Sequence, residues 1–181
     1  MEDVQINSAA LVEDLAARQA ITDQIYRYCR AMDRIDHELG YAVWHVDGTA
    51  DYGEAVFQGL GRDFVDHVCK QHGGLLTHSH QVTNIVIELD GAQAASEAYV
   101  TATLRMERGG KLLQMTVLSR YVDRWSRREG RWAIDHRITV TDMDEIREVT
   151  PMKVHDRGRR DMDDPSYAVL TAGQTNYGDR T

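Results

Sequence analysis

Beyond residue 76 the apolar residues of this chain stop recurring at helical spacing and alternate instead, and they go on alternating to about residue 146. Four runs carry the pattern: THSHQVTNIVIEL (77–89), AASEAYVTATLRM (94–106), KLLQMTVLSRYVDRW (111–125) and RWAIDHRITVTDMDEI (131–146). A period of two sends successive side chains to opposite faces, so each run reads as a long strand with one covered face. The connections DGAQ, ERGG and SRREG are short and rich in turn formers, which fits hairpin loops. The second half is therefore an antiparallel meander, and the helices that would cover it have to come from the first half.

That first half has the other period. From Ser8 to about Arg30 there is neither glycine nor proline, and Leu11, Leu15, Ile21, Ile25, Tyr28 and Cys29 recur at roughly helical spacing behind a possible Ser8 cap. Asp36 offers a cap for a short second helix that would carry Leu39, Val43 and Trp44 and end near Gly48. TADYGEAVFQGLG reads as a short strand or hairpin. GRDFVDHVCKQHGG reads as a third helix with Phe64, Val65, Val68 and Cys69 inward and Gly73-Gly74 as its stop. The expected architecture is α+β: three N-terminal helices packed on a curved antiparallel sheet, a cone with a cavity between the layers. The domain is expected over residues 1–149, with 150–181 as a tail that is partly flexible or docks on a neighbouring subunit through DPSYAVL.

Composition narrows the function. A formal charge of −8 disfavours nucleic acid and anionic membrane as partners. Cys29 and Cys69 are the only cysteines, show no zinc-type spacing, and read as buried free thiols. The N-terminus is acidic, without the basic start and apolar centre of a signal peptide, and no apolar run approaches a membrane span, so a cytoplasmic location is expected. The sequence contains no GxGxxG, P-loop, GxSxG or HExxH, which leaves no motif for a nucleotide cofactor, phosphoryl transfer, a serine elbow or a zinc protease; no cofactor is expected.

The candidate chemistry gathers around the first long strand. His78 and His80 lie two apart and share a face, but a metal site would need a third protein ligand that has no diagnostic spacing here. Strict alternation puts Val82, Asn84 and Val86 on that same cavity side, where an amide could bond a substrate or a neighbouring strand. Tyr26, Tyr28, Tyr41 and Trp44 form an aromatic set on the first two helices, either core or pocket lining, with Tyr28 the choice for a pocket acid. On the last strand Trp132, Ile134, His136, Ile138 and Val140 alternate, which turns His136 to the apolar side and Arg137 away from it unless a β-bulge shifts the register.

IYRYCRAMDRIDHELGYAVWHVDG in the first two helices, THSHQVTN at the first long strand and RWAIDHRITVTDMDEI in the last stand in an order and spacing that resemble the SnoaL-like branch of the nuclear transport factor 2-like superfamily, over about residues 10 to 147. Its relatives include scytalone dehydratase, hexachlorocyclohexane dehydrochlorinase, ketosteroid isomerase and the small subunits of ring-hydroxylating dioxygenases. The resemblance implies a cone-shaped, cystatin-like α+β barrel. It also implies a helix-end aspartate and a strand histidine acting together, which fall on Asp33 and His80, and a pocket cation, which falls on Arg137. The expected function is a cofactor-independent lyase on a small aromatic or polycyclic molecule, with His80 as base oriented by Asp33. Tyr28, Tyr41, Trp44, His78, Asn84 and Arg137 are the candidate substrate contacts. A proton-shuttling isomerase and a non-catalytic binding module are the alternatives, and a homo-oligomer, dimer or trimer, is the expected assembly.

Overall fold

The computed structural model describes residues 8–151 and 158–174. In chain order the elements are α1 (Ser8–Arg34), α2 (His37–Ala42), β1 (Trp44–Asp51), β2 (Gln58–Leu60), α3 (Gly61–Gly73), β3 (Thr77–Asp90), β4 (Gln93–Arg108), β5 (Lys111–Arg128), β6 (Arg131–Glu148) and α4 (Pro165–Gln174). The four alternating runs are thus four strands joined by tight turns whose glycines, Gly91, Gly109, Gly110 and Gly130, all have positive φ.

The helix α1 continues one turn past the expected end and stops abruptly. Ile35 turns left-handed at φ 53°, the Asp36 N–H reaches back to the Ala31 carbonyl at 2.9 Å, and Ile35 N–H reaches Met32 O at 3.3 Å. This pair of backward bonds is the Schellman ending, here with a β-branched residue where glycine is usual. Asp36 then caps α2 by accepting the Leu39 N–H at 3.0 Å. The sharp stop fixes the last turn of α1, which carries Asp33.

The sheet is mixed rather than purely antiparallel, in the order β2-β1-β6-β5-β4-β3, and β1 runs parallel to β6. Because β2 and β3 remain edges, the curved sheet is open rather than a closed barrel. The hairpin argument governs only neighbours in sequence. The segment that joins β1 to β6 includes α3 and the whole meander, so its direction is set by packing instead.

Trp44 starts β1 and is not part of the second helix, which ends at Ala42. Its indole is fully buried against Gly61, where an added Cβ would stand 2.1 Å from the ring. The side chain can insert only because position 61 has none, a nonlocal fit that helical spacing cannot reveal.

One face of α1 (Ala17, Ile21, Ile25, Tyr28, Met32) packs on the concave side of the sheet, with Ala98, Val100, Tyr121, Trp125, Trp132 and Ile134 in the same core. Two register shifts reset which residues point inward. Between Thr83 and Val86 one extra residue is accommodated at Asn84, whose φ is 48°. As a result Ile85, Ile87 and Leu89 pack against the core, whereas Val86 is 58% exposed and Asn84 is exposed; the expected row Val82, Asn84, Val86 does not exist. The second shift pairs Trp125 with Ile134 but Arg124 with His136, leaving Asp135 as the extra residue. This is the bulge that resolves the conflict on the last strand: Trp132, Ile134 and Arg137 are all buried, and His136 turns to the other face.

Of the C-terminal segment, α4 and the loop before it lie on the same chain's α1–α2 junction. Tyr167 Oη donates to Asp36 Oδ2 at 2.7 Å, Arg30 Nη1 donates to Ser166 Oγ at 3.0 Å, and Arg34 Nε stands 3.6 Å from Asp164 Oδ1. No helix among the described residues is long and apolar enough to cross a membrane.

Candidate active site

Asp33 and His80 meet where the last turn of α1 crosses the start of β3. His80 Nδ1 lies 2.7 Å from Asp33 Oδ1, and the His80 backbone N–H donates to Asp33 Oδ2 at 3.0 Å. Both carboxylate oxygens are therefore committed to one residue, which locks the imidazole in orientation as well as in place. An ionised carboxylate only accepts, so Nδ1 carries the hydrogen and Nε2 keeps the basic lone pair. No protein group among the described residues bonds Nε2. The His80 side chain is 8% exposed and that of Asp33 16%, shielded but open to a groove of about 460 Å³. The groove runs between β3, which contributes His80 and Val82, and α1, which contributes Tyr26, Arg27, Arg30 and Arg34.

His78, two residues earlier, faces the same side but is buried. Its Nε2 donates to Met32 O at 2.8 Å, which ties β3 to the last turn of α1 immediately before Asp33. The buried His72 ring from α3 lies tilted against both, its centroid 4.1 Å from that of His78 and 5.8 Å from that of His80. Burial, with the neighbouring histidines, pushes His72 down to about 3, and burial lowers His78 as well. Both rings are neutral packing around the dyad. Among the described residues no group of three or more His, Cys, Asp or Glu is placed to hold a metal ion.

Arg137, Tyr28 and Trp44 come together, but in the interior and apart from the groove. The Arg137 guanidinium forks onto Asp123, with Nε to Oδ1 and Nη2 to Oδ2 both at 2.7 Å, and neither side chain is exposed at all. Tyr28 and Tyr121, whose rings stand nearly perpendicular, flank the guanidinium at 4.3 and 3.9 Å, and Trp44 stands at 5.7 Å. The Tyr28 hydroxyl bonds that of Tyr52 at 2.8 Å, and burial holds the phenol well above its ordinary range. The interior where the sequence suggested a cavity is thus occupied by an aromatic cage around an ion pair. Cys29 and Cys69 are buried free thiols, pushed up by burial to about 12 and about 11.

The remaining candidates lie elsewhere. Tyr41 bonds Asp66 on α3 and does not border the groove. Asn84 projects from its bulge to the exterior. His136 Nδ1 lies 2.7 Å from Thr49 Oγ1, beside a separate cleft of about 700 Å³ that it shares with Arg124, Asp135 and Glu88. Two groups escaped the sequence reading. Asp123 holds the inward strand position opposite Arg137, and a charged residue on a covered face was its signal. The other is the set Asp23, Arg27, Arg30 and Arg34, which with the already named Tyr26 and Asp33 forms a polar stripe whose spacing of three and four marks one face of α1 opposite the apolar one.

Comparison with known proteins gives the family and the fold. A family model described as a SnoaL-like domain matches residues 13–138. No curated protein matches the chain by sequence. Among solved structures, a candidate scytalone dehydratase from Novosphingobium aromaticivorans DSM 12444 is 22% identical, with a TM-score of 0.64, covering 79% of this chain and 97% of its own. The hexachlorocyclohexane dehydrochlorinase LinA-type3 from Novosphingobium barchaimii LL02 is 15% identical, with a TM-score of 0.67, covering 80% and 98%. An NTF2-like protein with a cystatin-like fold, also from Novosphingobium aromaticivorans, is 19% identical, with a TM-score of 0.63, covering 78% and 92%. At these identities the likeness is one of fold.

Proposed function

The chain belongs to the SnoaL-like domain family of the nuclear transport factor 2-like superfamily, and on that premise we propose that it is a cofactor-independent lyase in which His80 is the general base and Asp33 its orienting partner. The single observation that carries this reading is the 2.7 Å contact from His80 Nδ1 to Asp33 Oδ1, with Nε2 left unbonded beside a groove large enough for one small aromatic or polycyclic molecule. A positioned imidazole supplies roughly 10²- to 10⁴-fold by proton transfer, and binding in a shielded groove supplies the rest. Elimination of water or halide, the chemistry named for the dehydratase and dehydrochlorinase neighbours, and retro-aldol carbon–carbon cleavage both begin with such an abstraction.

Proton abstraction by Asp33 itself, as the isomerase alternative requires, is poorly supported because both of its oxygens already bond His80. The filled interior favours a second reading, a non-catalytic binding module. The two separate in one experiment: the protein is incubated with hydroxylated and halogenated aromatic and polycyclic compounds, and products are weighed by mass spectrometry. Loss of water or hydrogen halide, or scission into two fragments, that disappears in His80→Ala supports the lyase. A product of unchanged mass supports isomerisation, and no turnover across the panel supports the binding module.

The reading extends to a homo-oligomer. Tyr99, Val122, Ile138 and Val140 lie on neighbouring positions of the outer sheet face, where Tyr99 and Ile138 are 43% and 41% exposed, and a second copy would cover them.

A further inference from the structure

Removing a proton from carbon leaves an electron pair that has to be stabilised, and Arg137, the pocket cation that the resemblance implied, is sealed in the core on Asp123. The groove holds other cations. Arg34 is matched by Asp164 at 3.6 Å and donates to the Asp33 carbonyl at 3.4 Å. Among the described residues Arg30 makes no ion pair of its own: it donates to the Ser166 hydroxyl at 3.0 Å, which in turn bonds Asp164, and it lies 4.7 Å over the Tyr167 ring. Arg27 makes no ion pair or hydrogen bond among the described residues, and Asp23, one turn before it, accepts instead from Gln19 at 2.8 Å. Two guanidiniums thus border the dyad without an ion pair of their own among the described residues, in a chain whose net charge is −8. Along the α1 axis the backbone positions of Arg30 and Arg27 lie about 4.5 and about 9 Å from that of Asp33, a spacing on the scale of a single ring with one substituent.

We propose that Arg27 and Arg30 form the oxyanion-binding wall of this groove, so that the substrate is a carbonyl or carboxylate compound whose oxygen faces α1 while its acidic C–H faces His80. The proposal rests on the dyad acting as base. His80 Nε2 takes the proton, the C–H pair becomes the C=C bond of an enolate, and the carbonyl π pair moves onto the oxygen facing the guanidiniums. The carbonyl then re-forms, the pair shifts to make the new C=C bond, and the β-substituent leaves with its own bonding pair, a hydroxyl taking the proton back from the imidazolium as water. Planar guanidinium forks suit such an oxygen, and the donors are in place before the charge develops.

The test uses the full chain with isotope-labelled histidine, titrated by NMR with benzoate and with its neutral isostere benzamide. The expected result is a preference for benzoate of about fivefold or more, with movement of the His80 ring signals, assigned by their loss in His80→Gln. Arg27→Gln and Arg30→Gln should each remove most of that preference, whereas Arg108→Gln, which removes one exposed positive charge on the β4–β5 hairpin outside the groove, should keep it. Equal binding of the two probes, failure of both to bind, a preference that survives both arginine variants or is lost in Arg108→Gln, or benzoate binding that leaves the His80 signals unmoved would each overturn the proposal. The dyad reading fails separately, in the unliganded sample, if the ring nitrogen shifts show the hydrogen of neutral His80 on Nε2 instead of Nδ1.

Discussion

Breaking the ion pair between Arg137 and Asp123 should cost far more than replacing it. In Asp123→Asn the guanidinium stays where it is, fully buried, and two charge-assisted contacts of 2.7 Å are exchanged for weaker ones to a neutral amide. Removing one partner of such a pair costs about 3–5 kcal/mol, because the other is left as an uncompensated buried charge. Arg137→Met leaves the Asp123 carboxylate in the same position and should cost a similar amount, with the cation–π contacts to Tyr28 and Tyr121 lost in addition. The double variant Asp123→Leu/Arg137→Met removes both desolvation penalties and should fall within about 2 kcal/mol of wild type. Against a typical total stability of about 5–15 kcal/mol, either single change is large. Urea unfolding followed by circular dichroism reads it directly. With a slope of about 2 kcal/mol per molar, each single variant should lower the midpoint by about 2 M, and the cycle should show a coupling of at least about 4 kcal/mol. If Arg137→Met unfolds at the wild-type midpoint, the pair does not hold the core in solution, and Arg137 is free to act as the pocket cation.

The other predictions concern the dyad, its surroundings and the assembly. His80→Ala should abolish any turnover found in the screen; Asp33→Asn should keep the fold but lose about 10²- to 10⁴-fold in kcat, and the double variant should be little worse than His80→Ala, whereas additive losses would mean that the two act separately. His72 is buried neutral with its value pushed down to about 3, so its contribution to stability is complete above the unfolded value of about 6.5 and is lost as pH falls toward 3. Between pH 7 and 4 that loss should reach about 3 kcal/mol in denaturant titrations, and His72→Gln should show a pH dependence shallower by that amount; parallel curves would refute it. Light scattering at micromolar concentration should give a multiple of 20.6 kDa, and a monomer would contradict the oligomer.

What the sequence determined by itself was whatever depends on near neighbours. The period of two with short glycine-bearing connections could give only a meander, and the uninterrupted apolar stripe of α1 could give only a helix with one covered face. Side chains two apart on a strand must share a face, so His78 and His80 turn together toward α1, and the helix-end position of Asp33 was legible along with them. Tertiary structure decided everything that depends on distant partners. The parallel pairing of β1 with β6 joins segments some ninety residues apart, beyond the reach of turn chemistry. Trp44 became a strand residue because Gly61, on another element, leaves room for its ring. A single extra residue at Asn84 reversed the inward row beyond it, since a shift of one exchanges the two faces of a strand. Arg137 shows the difference most plainly. Alternation on the last strand turned it outward and the resemblance made it a pocket cation, whereas the bulge at Asp135 and the register of β5 against β6, which sets Asp123 opposite, make it a buried structural ion and leave the groove to the arginines on the outer stripe of α1.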